Sequence, residues 1–165
     1  METKKEEVER RLLESLPRLY KLAVWYAADR PIDPDDIVQL TCEQAIKYWY
    51  QWEGQGYDAW LRRIAYSQAR DELRRQYRRQ GVDADATIVA DPIAISRIEA
   101  LLMQTDIAKV WPDMPEDFRE VILVVGLEGY SYAEAAEILD IPQGTVMSRL
   151  KRARETAKKL LGAKP

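Results

Sequence analysis

Apolar residues recur at three- and four-residue spacing along most of the chain, the periodicity that is typical of amphipathic α-helices. No stretch of the sequence shows the sustained apolar-polar alternation of a half-buried β-strand between hairpin turns. The pattern therefore predicts an all-α fold.

The first half of the sequence predicts three helices. The first carries apolar positions between 12 and 24 and ends before a proline-containing segment. The second begins with Asp33 or Asp35 as its N-cap, because aspartate accepts hydrogen bonds from the free amides of a first turn. The third begins near Asp58, again an expected N-cap, and continues to about Arg79. We expect these helices to form a small domain over residues 1–80.

The composition changes after the third helix. Residues 81–95 are rich in aspartate and small side chains and show no clear period, which indicates an acidic linker. Helical spacing resumes over residues 96–165, where we expect a second small helical domain.

The second domain contains a helix-turn-helix pattern. Ser131 and Glu134 form a capping box that starts a short helix, and residues 140–142 break it. The next helix opens at Gly144 and is expected to face inward through Val146 and Leu150. In a helix-turn-helix the second helix enters the major groove of DNA, so its outward side chains are candidates for base and phosphate contacts. A structural helical hairpin is the alternative reading of the same pattern.

Charge is unevenly distributed. The chain has 165 residues and a net charge of -3, yet residues 62–79 hold seven arginines against two acids, and residues 149–159 hold six basic residues against one. The rest of the chain is acidic. Two basic islands on an acidic body favour localised contacts with nucleic acid.

Composition also limits the chemistry. The sequence has no histidine and one cysteine, Cys42, which excludes a histidine-dependent triad, a Cys/His zinc cage and an internal disulfide. The amino terminus lacks the apolar segment of a signal peptide, and the longest aliphatic run, residues 121–125, is too short to span a bilayer. We therefore expect a cytoplasmic protein with no catalytic residues, metal or cofactor.

Residues 127–154 resemble region 4 of the extracytoplasmic function (ECF) sigma factors, the minimal bacterial transcription initiation factors. The preceding residues 111–123 are similar to the Leu-Pro-x-x-x-Arg-Glu-Val-Ile-Leu segment that opens this region. Asp140 stands where relatives commonly have glycine, and aspartate tolerates the left-handed backbone of such a turn. The resemblance implies that the following residues contact the minus-thirty-five promoter element: Gly144, Thr145, Met147, Ser148, Arg149, Lys151, Arg152 and Arg154.

The first half resembles region 2 of the same family. The stretch from Asp35 to Gln39 is similar to the Asp-Leu-Val-Gln segment that binds the clamp helices of the RNA polymerase β′ subunit. The resemblance makes Asp36 and Gln39 the polymerase-facing residues, with Asp35 beside them or acting only as a helix cap. Leu40 stands where relatives often have an acidic residue.

Residues 59–79 resemble the region 2 helix that reads the minus-ten element, and residues 52–57 correspond to the loop that captures a flipped base in the family. Ser67 stands where relatives frequently have asparagine. The residues expected to contact strand-separated DNA are Arg63, Tyr66, Ser67, Arg70 and Arg74.

The resemblance implies an alternative sigma factor that binds core RNA polymerase, through its β′ clamp helices and β subunit, and promoter DNA. It also implies an anti-sigma factor as partner, with no small-molecule substrate and no membrane. One alternative is a sigma-like decoy that sequesters an anti-sigma factor, which the departures at Leu40 and Ser67 keep open. Another is a helix-turn-helix repressor that acts without polymerase. A carboxylate-based Mg²⁺ nuclease is least favoured, because the acidic residues show no convergent metal-ligand spacing.

Overall fold

A computed structural model describes residues 1–81 and 107–163, and these ranges are built from helices. The first half contains α1 (Lys4–Ala27), α2 (Pro34–Lys47), a 3₁₀ turn (Trp49–Gln51) and α3 (Tyr57–Gln80). The second half contains α4 (Ile107–Val110), a 3₁₀ turn (Trp111–Asp113), α5 (Glu116–Val121) with a π-helical continuation (Ile122–Leu127), α6 (Tyr132–Leu139) and α7 (Gln143–Ala163). No strand occurs in the described ranges, and the all-α prediction is confirmed.

Local capping explains where the first helices begin. Helix α1 starts with a capping box between Thr3 and Glu6, ahead of its first apolar positions. Asp33 is the N-cap of α2, and its side chain accepts a hydrogen bond from the Asp35 amide at 2.8 Å. The prediction that Asp58 caps α3 is wrong. The N-cap is Gly56, whose φ of +59° is a left-handed conformation that glycine adopts at little cost.

The helix-turn-helix is formed as predicted. The Glu134 amide donates to Ser131 Oγ at 3.1 Å, and the Ser131 amide donates to Glu134 Oε1 at 3.2 Å, which completes the capping box. Asp140 ends α6 with a φ of +54°, the left-handed conformation expected of this turn. Val146 and Leu150 are buried, so α7 packs its apolar stripe inward.

The two halves of the chain pack against each other and share one apolar core. A single cluster of buried side chains includes residues from α1, α3, α5, α6 and α7. Within this cluster the Trp25 and Trp111 rings meet edge to face, with centroids 4.8 Å apart, and the Trp111 indole donates to the Trp25 carbonyl at 3.3 Å. Helix α3 lies along α6, the first helix of the helix-turn-helix. We call this packing of residues 1–81 on residues 107–163 the closed arrangement.

The predicted acidic linker, apart from Gly81, lies outside the described residues, as does the first part of the helical spacing predicted after it. The division into residues 1–80, 81–95 and 96–165 therefore remains a prediction. Among the helices in the described ranges, none is long and apolar enough to cross a membrane.

Candidate nucleic-acid and polymerase interfaces

Helix α7 presents its predicted DNA-contacting side chains outward. Met147 is 51% exposed, although it is a large apolar residue, and Lys151, Arg152 and Arg154 are also exposed. Each of these four residues is adjacent in sequence to a buried residue of the apolar stripe by which α7 packs on the other helices: Val146, Leu150 or Ala153. The exposed part of α7 therefore offers three cations and an apolar contact to a ligand, as a recognition helix requires.

The remaining predicted residues of α7 lie at the edge of that surface. Gly144 is exposed, and Thr145 and Ser148 are half-buried, with Ser148 Oγ donating to the Thr145 carbonyl at 3.1 Å. Arg149 is also half-buried, and its guanidinium lies 3.7 Å from the Asp117 carboxylate of α5. Arg149 is thus partly neutralised within the protein, unlike the exposed arginines of the same helix.

Helix α2 presents an acidic surface. Asp35, Asp36 and Gln39 are all exposed near its amino-terminal end, and the Gln39 amide donates to Glu43 Oε1 at 3.0 Å. Partial desolvation raises the pKa of Asp36 above its usual value, and the neighbouring carboxylates, including Glu72 of α3, raise it further. A groove lined by Asp36, Gln39, Leu40, Glu43 and Glu72 follows this surface. Its negative charge is suited to a basic helix of a partner.

Helix α3 separates its predicted DNA-contacting residues into two groups. Arg63, Ser67 and Arg74 are exposed. Tyr66 is fully buried, and its ring packs edge-on against Tyr26 with centroids 6.1 Å apart. In the closed arrangement Tyr66 is a core residue and is not accessible to a base.

Arg70 and Arg62 of α3 are bound by carboxylates of the second half. Arg70 Nε donates to Glu120 Oε1 at 2.8 Å, and Arg70 Nη2 donates to the Leu139 carbonyl at 3.3 Å. Arg62 Nε donates to Glu128 Oε1 at the same distance, 2.8 Å. Two arginines of the α3 basic island are therefore paired inside the protein.

Burial changes the acidity of these carboxylates. Desolvation raises the pKa of Glu120 to about 6, although Arg70 beside it acts in the opposite direction, and Glu116 and Asp117 add to the rise. Burial also raises the pKa of Glu128 and of Asp29. A carboxyl group whose pKa rises on burial takes up a proton when it becomes buried. Protonation of these three carboxylates therefore favours the closed arrangement as the pH falls from the raised pKa toward the ordinary one.

A third buried pair joins the halves. Arg119 of α5 donates to both carboxylate oxygens of Asp29, at 2.7 and 2.8 Å, and to the backbone carbonyls of Ala28, Pro112 and Met114. The side chains of Asp29 and Arg119 are 2% and 3% exposed. Asp29 adopts a φ of +55° just after α1, which aims its carboxylate at the second half. The guanidinium is therefore fully paired, the condition under which a buried charge is tolerated.

The sequence motifs indicate no role for five residues of these pairs, although Arg62 belongs to a basic island: Asp29, Arg62, Arg119, Glu120 and Glu128. One signal for Arg62 was present. It lies on the helical row that continues through the buried residues Tyr66, Ala69, Leu73 and Tyr77, so a charge at its position had to be buried and paired.

The loop at residues 52–57 is held by its own tryptophan. Trp52 is 2% exposed and its indole donates to the Gln55 carbonyl at 2.8 Å, while Gly54 and Gln55 remain exposed. An adjacent cavity of about 580 Å³ lies between α2, α3 and α6 and is lined by residues that include Trp60, Ser67 and Asp140. The exposed part of α3 thus borders a cavity that α6 closes on one side.

Comparison with known proteins places both halves in one family. The family model for Sigma-70 region 2 matches residues 12–79, and that for Sigma-70, region 4 matches residues 112–156. The chain is 32% identical over 157 residues to the ECF RNA polymerase sigma factor EcfG of Rhodopseudomonas palustris, covering 91% of this chain and 82% of that protein. It is 35% identical over 136 residues to the ECF RNA polymerase sigma-E factor of Escherichia coli K12, covering 74% of this chain and 71% of that protein.

A solved structure agrees with these matches. The sigma factor RpoE of Bartonella quintana, crystallised in complex with the anti-sigma factor NepR, superposes with a TM-score of 0.72 at 25% identity, covering 97% of this chain and 99% of that one. The matched regions include the acidic surface of α2, the basic helix α3 and the exposed side chains of α7. The chain therefore belongs to the ECF RNA polymerase sigma factors.

Proposed function

We propose that this protein is an alternative sigma factor that binds core RNA polymerase and directs it to specific promoters. The observation that carries the proposal is the order of matches on one chain, Sigma-70 region 2 followed by region 4, with an accessible acidic surface in the first and an accessible basic surface in the second. A polymerase-independent repressor would need only the second surface.

The proposed contacts follow from exposure and charge. Asp36 and Gln39, with Asp35 beside them, bind the β′ clamp helices. The exposed residues of α7 read the minus-thirty-five element, where Lys151 and Arg152 contact bases or phosphates and Met147 provides an apolar contact. Arg63, Ser67 and Arg74 of α3, which are exposed, hold the melted minus-ten element together with Arg70, which must exchange Glu120 for the DNA to do so. Two weak DNA contacts linked through polymerase give specificity for the spacing between the promoter elements.

Run-off transcription on a pool of genomic promoter fragments, with purified core polymerase, tests the proposal. We expect specific start sites with the wild-type protein and none with Asp36→Arg or with the double variant Lys151→Glu and Arg152→Glu. Matched controls come from the same chain. Lys158→Glu with Lys159→Glu matches the charge change of the α7 double variant on exposed residues farther along the same helix. Glu9→Arg matches the charge change of Asp36→Arg on an exposed position of α1.

The controls decide among the alternatives. Start sites that survive in both controls and disappear in both test variants support the sigma-factor function. Specific binding to duplex DNA that core polymerase does not affect would establish a repressor. Absence of transcripts from the folded wild-type protein, together with tight binding of an anti-sigma protein, would establish a decoy.

The proposal includes an anti-sigma protein as a partner, since the similar sigma factor from Bartonella quintana was crystallised with one. It also places the protein in the cytoplasm, where RNA polymerase acts, and gives it no catalytic role of its own. Isolation of the tagged protein from its native host at endogenous expression, before and after stress, tests whether core polymerase and a regulatory protein replace each other on it.

A further inference from the structure

The loop at residues 52–57 is supported by the first turns of α1. Val8 and Leu12 of α1 pack with Trp52 and Tyr57 in a second apolar cluster, separate from the core that the two halves share. The Tyr57 hydroxyl also donates to the Val8 carbonyl at 3.4 Å. The position of the loop therefore depends on a helix that lies far earlier in the sequence.

Arg11 of α1 lies against the two aromatic rings that anchor the loop. Its guanidinium carbon is 5.3 Å from the centre of the Trp52 ring and 5.5 Å from the centre of the Tyr57 ring. The two rings meet edge to face with centroids 5.5 Å apart, so the cation and both rings form one group. Glu7, one turn earlier on α1, accepts from Arg11 Nε at 3.0 Å and lies 2.9 Å from Nη2, which orients the guanidinium. A cation placed in this way is attracted by the electrons of the ring faces.

Trp52 connects this group to the exposed tip of the loop. Its indole donates to the Gln55 carbonyl at 2.8 Å, across Gly54, whose φ is +88°. Gly54 and Gln55 are exposed, whereas the Trp52 ring is buried. A change at Arg11 is therefore expected to reach the tip through the Trp52 indole.

A cavity of about 350 Å³ lies beside the tip and is lined by residues that include Gln55, Trp60 and Arg63. A cavity of this size holds a small ligand. An aromatic ring next to an arginine suits an unstacked base and its phosphate, because the ring stacks on the base and the guanidinium binds the anion. The tip forms part of the cavity wall, so its position determines how well a base fits.

We infer that Arg11 is a positioning residue for the binding of an unstacked minus-ten base, because it fixes Trp52 and, through Trp52, the tip that lines the cavity. The inference rests on the proposed function for the identity of the ligand. The motifs that resemble the family lie between residues 35 and 154 and assign no role to Arg11. Arg11 acts through the loop and makes no contact with the DNA.

Three variants of the full chain test this role. Arg11→Met removes the charge and keeps a long apolar side chain, and Arg11→Lys keeps a cation that also binds a ring face. The matched control is Arg10→Met, which makes the same charge change at the neighbouring residue, where the exposed arginine pairs with Glu2 and Glu14. Far-UV circular dichroism checks the fold, and Arg11→Gln replaces an Arg11→Met chain that does not fold.

Amide exchange measured by NMR reports whether Arg11 holds the loop. The amides of Gln51, Trp52 and Trp60 donate to backbone carbonyls at the two ends of the loop. We expect these amides to exchange about threefold to tenfold faster in Arg11→Met, less so in Arg11→Lys, and within about twofold of the wild-type rate in Arg10→Met. Unchanged exchange in Arg11→Met overturns the inference.

Base removal reports whether the held loop binds a base. The probe is a fluorescein-labelled single strand of about twelve nucleotides from a promoter found by run-off transcription, bound to core polymerase carrying each variant. A series of strands, each with one abasic site, locates the base whose loss weakens binding to the wild-type complex. Arg11→Met should raise the Kd of the intact strand about threefold to tenfold and leave the Kd of that abasic strand unchanged. A purely structural role for Arg11 would weaken both strands equally.

The outcomes separate this inference from the proposed function. Equal weakening of the intact and abasic strands by Arg11→Met overturns the inference while transcription continues to support the sigma-factor function. Transcription by a wild-type complex that tolerates base removal at every position also overturns the inference, because the loop then binds no base. Absence of transcripts contradicts the sigma-factor function, and amide exchange alone then decides whether Arg11 holds the loop.

Discussion

The buried pair between Asp29 and Arg119 allows a quantitative test of how the halves are held together. Replacing Asp29 with asparagine keeps the shape of the side chain and leaves the Arg119 guanidinium 3% exposed without a counter-charge. Removal of one partner from a buried ion pair costs about 3–5 kcal/mol. That cost is a large fraction of the total stability of a typical domain, about 5–15 kcal/mol.

Urea unfolding followed by tryptophan fluorescence and far-UV circular dichroism measures the loss. We expect Asp29→Asn to lower the free energy of unfolding by about 3–5 kcal/mol, or to split one transition into two if the halves separate before they unfold. The double variant Asp29→Asn with Arg119→Met should recover part of the loss, because an apolar replacement of both partners leaves no buried charge. Asp71→Asn, at an exposed position, is the matched control.

A loss for Asp29→Asn no larger than that for Asp71→Asn, with a single transition, would refute the reasoning. It would mean that Arg119 finds another carboxylate or that water reaches the pair. Equal losses in the single and double variants would show that the carbonyl contacts of Arg119, and not its charge, determine the cost.

Three further predictions follow from local features. Between pH 7.5 and 5.5 the free energy of unfolding of the wild-type chain should rise by about 0.8 kcal/mol relative to that of Glu120→Gln, because burial raises the pKa of Glu120 from 4.5 to about 6 and folding therefore takes up a proton; a fall in this difference in urea unfolding contradicts the reasoning. Ser131→Ala should lower the free energy of unfolding by about 1 kcal/mol through loss of the capping box, and an unchanged urea midpoint would disprove it. Asp140→Gly should raise the free energy of unfolding by about 0.5–1 kcal/mol and Asp140→Ala should not, because only glycine relieves the left-handed backbone; equal midpoints for the two would reject that explanation.

Features set by neighbouring residues were predictable from the sequence. The capping box at Ser131 and the inward stripe of Val146 and Leu150 depend on contacts within one or two turns, so residue type and spacing determine them. The same reasoning failed at Asp58 because Gly56, two residues earlier, adopts a left-handed conformation and caps the helix in its place.

Features set by contacts between the halves were not predictable in this way. The basic island of α3 indicated a surface for an anionic ligand, but Arg70 and Arg62 are paired with glutamates more than forty residues away. Tyr66 lies between Arg63 and Arg70 of a basic helix and yet belongs to the core that the two halves share. Which member of a mixed helix is exposed depends on the packing partner, and a single sequence does not specify that partner's position.

The core shared by the two halves gives the closed arrangement a temperature dependence. Separation of the two halves would expose the Trp25 and Trp111 rings and the apolar side chains around them to water. This opening of the closed arrangement therefore carries a positive heat-capacity change. Apolar attraction of this kind weakens on cooling. We expect the fraction of chains with separated halves to grow at low temperature, and tryptophan emission would report this change. A polymerase that binds the separated halves would have to replace, with its own surface, the apolar contacts that the halves give up.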